Sequence, residues 1–190
     1  MTENELLDLM TELEALHRGH FLLSSGLHSD TYFQCARVLQ FPELARELGR
    51  LLADQHAALD IDVVVSPALG GILIGHEVAR ALGRRFLFTE RQGGEMTLRR
   101  GFAIEQGEKV LIVEDVVTRG TSSLEVARVV EAAGGVVSGV AAVVDRTGGT
   151  AGLPVPLRAL ARVSVAAWTA DACPLCAAGS APVKPGSRGG

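Results

Sequence analysis

Residues 110–123 read VLIVEDVVTRGTSS and lead directly into LEVARVVEAAGG, and this run decides the fold. Val110, Leu111, Ile112 and Val113 form a short apolar block of β-favouring residues, the pattern of a strand covered on both faces in a parallel sheet. Glu114 and Asp115 stand where that strand ends. In open α/β sheets ligands bind beyond the carboxyl ends of the strands, so the two acids are placed to meet a ligand. The loop Thr118-Arg119-Gly120-Thr121-Ser122 then brings hydroxyls, a glycine and backbone N–H groups to a helix start, a combination that suits a phosphate. Ser122 and Glu125 have capping-box spacing, Val126, Val129, Val130 and Ala133 share a helical face, and Gly134-Gly135 closes the helix. The run contains neither GxxxxGK(S/T) nor GxGxxG, which excludes an ATP-type phosphate loop and a dinucleotide fingerprint.

The same strand–loop–helix grammar recurs on either side. Residues 62–66 (DVVVS) form a core strand, PALGG turns it into a helix over about 72–82, and another strand follows at 85–89. Residues 136–145 form the strand after the central helix and complete a βαβ unit, whose crossover is expected to be right-handed. A further strand falls around 157–165. Upstream, residues 5–16 read as an amphipathic helix with Thr2 and Glu5 at capping-box spacing, and Phe41-Pro42 opens a helical pattern through about residue 59. Between them, residues 20–34 place two β-like runs around Ser24-Ser25-Gly26, a hairpin or small hood. Its His28, Ser29, Tyr32 and Phe33 offer polar and aromatic side chains able to sandwich and edge-bond a planar heterocycle. Residues 90–102 (ERQGGEMTLRRGF) are polar, glycine-containing and charged, the composition of a mobile loop. The fold class is therefore α/β: a mostly parallel sheet with helices on both faces, plus a small N-terminal hood.

Composition narrows the function classes. The 190 residues are 47% hydrophobic, enough for one sizeable core and one domain. A net charge of −4 with scattered basic residues gives no footprint for nucleic acid or an anionic membrane. No apolar run has the length of a membrane span and the first residues are acidic, from which a cytoplasmic location is expected. Three cysteines, an odd number, argue against a disulfide framework. Cys173 and Cys176 form one CxxC, which supplies two zinc ligands or a redox pair where a structural zinc site needs four. Cys35 is too distant in sequence to be counted with them, and a packing role is assigned to the pair. Residues 180–190 (SAPVKPGSRGG) have the composition of a disordered terminus. The expected division is one domain over 1–178, with the hood at about 18–40 and the core at about 42–170, and a disordered tail over 179–190.

The order apolar strand, two acids, apolar pair, T-x-G-T/S resembles the phosphoribosyl pyrophosphate (PRPP) motif of type I phosphoribosyltransferases. The S-G-x-x-S-x-x-Y-F of the hood resembles the N-terminal part of the orotate phosphoribosyltransferases, over about residues 18–176 in all. The resemblance implies that Glu114 and Asp115 accept hydrogen bonds from ribose hydroxyls and that Val116, Val117, Thr118, Arg119, Gly120, Thr121 and Ser122 belong to the PRPP loop. It implies that Ala68, Leu69, Gly70 and Gly71 offer amides to the leaving diphosphate. Arg91, Arg99 and Arg100 would be cations on a closing loop, with Arg99 and Arg100 in a catalytic role. Arg146, with Thr118, Tyr32 and Phe33, would hold orotate, although Asp145-Arg146 also reads as a simple ion pair. The implied reaction joins orotate and PRPP to give orotidine 5′-monophosphate and diphosphate in de novo pyrimidine biosynthesis. Mg²⁺ would be held mainly by PRPP with no direct protein ligand, and the enzyme would be a homodimer.

The chain departs from the best-known members at defined places. Leu69-Gly70 stands where they carry Tyr-Lys, Gln92 follows Arg91 where a lysine is usual, and Ser24 replaces a hood lysine. The loop is short and carries GGEMTLRRGF, in which Arg99 and Arg100 are the candidate replacements for the missing cations. Three other readings stay open at this point: a purine-type phosphoribosyltransferase, a regulator that senses PRPP or a nucleotide on the same fold, and a phosphate-binding interaction protein with a degenerate site, which the missing lysines suggest.

Overall fold

The computed structural model describes residues 1–23 and 25–185. Helix α1 (Glu3–Glu12) starts with the expected reciprocal cap, the Thr2 hydroxyl accepting from the Glu5 amide and the Glu5 carboxylate accepting from the Thr2 amide. Strands β1 (Leu16–Leu22) and β2 (His28–Phe33) form the antiparallel hood hairpin, and the short α2 (Ala36–Leu39) leads into α3 (Pro42–His56), where Pro42 takes the first helical position. Then follow β3 (Val63–Pro67), α4 (Gly71–Leu82), β4 (Arg85–Gln92), β5 (Glu95–Leu98), β6 (Lys109–Val117), α5 (Thr121–Ala132), β7 (Val136–Asp145) and β8 (Leu157–Arg162). The chain ends with β9 (Ala167–Trp168) and α6 (Pro174–Ala177) among the described residues.

The main sheet has the order β5-β4-β3-β6-β7-β8, all parallel except the edge strand β5. Alternate residues of its central strands serve two cores. Val64, Leu111 and Val113 pack with Leu48 and Leu52 of α3 and Ile74 and Val78 of α4, while Val63, Val65, Val110 and Ile112 pack with Val126 and Val130 of α5. Helices thus cover both faces, and strands buried on both sides have no polar face to display. No helix among the described residues is long and apolar enough to cross a membrane.

Several expectations are corrected. Residues 90–98 are a hairpin rather than a loop, and only 99–102 are irregular: β4 runs on to Gln92 and turns back into β5 with Gln92 opposite Glu95. Gly93 and Gly94 both have positive φ, 62° and 94°, which is what a two-residue hairpin turn requires. Helix α5 begins at Thr121 with Gly120 as its N-cap, and no side chain caps it, so the Ser122/Glu125 box is not formed. The last strand of the main sheet ends at Arg162, short of residue 165. Trp168, placed with the core by sequence, pairs through β9 with His28 of the hood. The tail is not disordered throughout: Val183 exchanges backbone hydrogen bonds with β1, at 2.8 Å to the His20 carbonyl and 2.9 Å from the Leu22 amide. Ser24 and residues 186–190, which carry the rest of the hood and tail expectations, lie outside the described residues.

Candidate active site

One cleft of about 820 Å³ opens at the carboxyl ends of β3, β6 and β7, the location that the parallel sheet dictates. Its floor is the end of β6. Glu114 is 6% exposed and accepts a hydrogen bond of 2.8 Å from the hydroxyl of Ser123, itself buried in α5. Loss of water pushes the Glu114 carboxyl up to about 8, and the neighbouring charge of Asp115 adds to that, against the lowering effect of Ser123. Asp115 is likewise raised by burial, partly offset by backbone amides. Its carboxylate lies against the α4 start: a Cβ on Gly70 would come within 2.6 Å of Oδ2 and 2.7 Å of Oδ1. Only glycine allows the two loops to approach so closely. Gly71 is equally constrained, its missing Cβ falling 2.9 Å from the Val113 carbonyl.

Residues 116–122 form one wall of the cleft and end at the amino terminus of α5, whose first amides have no partners within the helix. Gly120 takes a φ of 74° there. Oriented amides, the hydroxyls of Thr118, Thr121 and Ser122, and the Arg119 side chain make this wall an anion cradle.

The opposite wall is the hood. Tyr32 and Phe33 line it, and Arg146 at the end of β7 sits 5.8 Å from the Phe33 ring centre. Arg146 is 7% exposed; its Nη2 donates to the Ser29 hydroxyl at 3.2 Å and the Thr31 carbonyl at 3.1 Å, while its buried Nε has no partner among the described residues. It does not pair with Asp145. That carboxylate is fully buried, accepts from the Thr147 amide and hydroxyl and the Gly149 amide, and faces Arg162 at 3.4 Å. Burial lowers the Arg146 pKa, with Asp30 and Tyr32 acting in the opposite direction, and no carboxylate among the described residues forms an ion pair with it; the guanidinium keeps its charge, because arginine does not deprotonate in proteins.

Of the residues singled out from sequence, Tyr32, Phe33, Ala68, Gly70, Gly71, Arg91, Arg146 and all of 114–122 line this cleft. Leu69, 83% exposed, does not, and neither do Arg99 and Arg100. Arg100 forks onto Glu90 with two bonds of 2.8 Å and lies 5.5 Å over Phe88. Arg91 bonds the Gly94 carbonyl at 2.9 Å and pairs with Glu125. His28 and Ser29 are buried within the hood and do not line the cleft. Sequence reasoning missed Ser123, which was given no role beside the cap assigned to Ser122, and Lys184 with Pro185, which line the cleft from a segment read as tail.

The phosphoribosyl transferase domain family matches residues 34–152. The orotate phosphoribosyltransferase of Desulforamulus reducens is 50% identical over 188 residues, covering 99% of this chain and 98% of the relative. That of Acidithiobacillus ferrooxidans is 51% identical over 196 residues, covering 100% of this chain and 99% of the relative. The crystal structure of the Mycobacterium tuberculosis orotate phosphoribosyltransferase in complex with inorganic phosphate superposes with a TM-score of 0.67 at 28% identity, covering 85% of this chain and 96% of that one. Agreement of this kind runs through hood, cleft and tail together, and the chain belongs to the orotate phosphoribosyltransferase family.

Proposed function

We propose that the chain transfers the 5-phosphoribosyl group from PRPP to orotate, releasing diphosphate and orotidine 5′-monophosphate for pyrimidine biosynthesis, as a cytoplasmic homodimer. The observation that carries this reading is a single cleft with an anion cradle on one wall and, on the other, a buried arginine beneath an aromatic hood. The 5′-phosphate belongs in the cradle of residues 118–122. The planar base belongs against Tyr32 and Phe33, with its carboxylate on Arg146, a pairing that a planar guanidinium makes with two parallel bonds.

Between the walls, Glu114 and Asp115 meet the ribose. Displacement at the anomeric carbon passes through a state in which the sugar carries positive charge; that charge draws the two poorly solvated acids into their ionised forms, which stabilise it more than they stabilise neutral ground-state sugar. No protein nucleophile is needed, since holding base and donor in line supplies much of the acceleration. The amides of Ala68, Gly70 and Gly71, with Arg91, receive the departing diphosphate. Arg99 and Arg100 remain candidates for the same work, which requires the β4–β5 hairpin to swing and Arg100 to leave Glu90. The donor set around the ribose is all oxygen, which fits Mg²⁺ bound chiefly by the diphosphate, with Asp115 the carboxylate available to it. The ion supplies charge neutralisation of the leaving group.

The test is magnesium-dependent loss of orotate absorbance with PRPP, comparing the wild type with Arg146→Ala and Asp115→Asn. Arg146→Ala is expected to raise KM for orotate roughly 100-fold, the cost of a lost buried charge pair, and Asp115→Asn to lower kcat. Diphosphate release with a purine and none with orotate would reassign the base.

A further inference from the structure

Outside the cleft, folding brings together two side-chain pairs that the sequence keeps far apart. His20 and His28 flank the turn of the hood hairpin, and Cys173 and Cys176 open α6, 153 and 148 residues away along the closest pairings. We propose that His20, His28, Cys173 and Cys176 form a structural zinc site that clips the carboxyl-terminal segment to the hood.

The geometry is that of four ligands around one point. His20 Nε2 lies 2.9 Å from His28 Nδ1, 3.4 Å from Cys173 Sγ and 3.8 Å from Cys176 Sγ, and Cys176 Sγ lies 3.3 Å from His28 Nδ1. All four ligand atoms fall within 4.8 Å of one another. Tetrahedral zinc with ordinary Zn–N and Zn–S bonds has ligand–ligand edges of about 3.3 Å for N···N, about 3.6 Å for N···S and about 3.8 Å for S···S, so the four distances just given lie within tenths of an ångström of a coordination shell. The rival is a hydrogen-bonded packing cluster. It is poorly matched, because the Nδ1 of His20 lies 3.0 Å from the Ser180 carbonyl and is the nitrogen that donates there. That leaves Nε2 with a lone pair directed at three other heteroatoms, more than one lone pair can satisfy. The Ser180 contact is also the outer bond that orients a metal-binding imidazole.

Charge and burial agree. His20, His28 and Cys173 are buried and Cys176 partly so. Two thiolates and two neutral imidazoles around Zn²⁺ sum to zero, so the filled site sits in the interior without a net charge. Four protein ligands leave no coordination position for water, which makes the site structural. Its mechanical consequence lies just downstream, where Val183 pairs with β1 and Lys184 and Pro185 reach the cleft. The clip therefore fixes the strap that closes the substrate side of the hood.

Untagged protein purified without chelator is expected to carry about one zinc per chain by native mass spectrometry, and Cys173→Ser and Cys176→Ser to retain less than about a tenth of it. Replacing zinc by Co²⁺ should give the near-ultraviolet thiolate-to-cobalt band, which is lost with the metal in either serine variant. Stripping the metal should lower Tm by roughly 5 °C and release two thiols to a thiol reagent. Wild-type protein without zinc and without a cobalt–thiolate band, or a zinc content unchanged in both serine variants, overturns the proposal. Should a serine variant fail to fold, the wild-type cobalt spectrum decides: the band supports the site and its absence refutes it.

Discussion

Glu114 carries a carboxyl whose proton affinity is set by the fold. Its folded pKa of about 8 exceeds the ordinary 4.5, so the folded state holds the proton more tightly than the unfolded chain. Stability from this group is fully present below pH 4.5, declines as the pH rises, and is lost above about 8, a swing on the order of 4–5 kcal/mol. Glu114→Gln keeps an oxygen for the Ser123 hydroxyl and removes the titration. Calorimetry on the ligand-free enzyme is expected to find the variant more stable than wild type at pH 9, by roughly 5 °C or more in Tm, and equal to it near pH 4, while its turnover falls. Equal Tm at pH 9 would place the ionised form at no disadvantage and remove the argument. The acid pair was legible because strand end, carboxylates and phosphate loop follow one another in sequence. Ser123 was not, because its partner is nine residues away across a strand-to-helix turn and nothing in the local pattern marks the pairing.

Among elements, the β4–β5 hairpin is where the sequence reading departs furthest from the structure. Polar composition suggested a loop, yet Met96 alternates inward, the Thr97 hydroxyl bonds the Glu90 carbonyl at 3.2 Å, and two adjacent glycines supply the turn. The dipeptide Gly93-Gly94 between short β-like runs was the available signal. Arg100 is clamped on Glu90 in this position, so its two roles can be separated. If Arg100 moves to the diphosphate during turnover, Arg100→Ala should lower kcat by about 10- to 100-fold while Glu90→Gln, which frees it, leaves kcat at or above wild type. Steady-state kinetics in which both substitutions cost the same would make Arg100 a brace of the hairpin. The exposure of the Glu90–Arg100 pair means that its rupture carries little cost in stability.

For the molecule as a whole, the parallel core was readable from apolar strand blocks and glycine loops, since each unit βαβ is local in sequence. The hood was only half readable. Its β1 and β2 are local, but β9 and Val183 come from the far end of the chain, and no periodicity announces a pairing across so many residues. Deleting residues 179–190 tests this directly. The core should stay folded, with cooperative unfolding, whereas removal of Val183 and Lys184 should raise the KM of a substrate about tenfold, the worth of one lost ionic or clamping contact. Unchanged kinetics would return those residues to the status of a tail. A small sheet drawn from both ends of the chain also has a meaning for biosynthesis. The hood hairpin leaves the ribosome before the core strands, but a two-stranded ribbon is marginal by itself, and its third strand and strap emerge only after them. The nascent chain therefore completes the wall of residues 116–122 before the hood that faces it across the cleft.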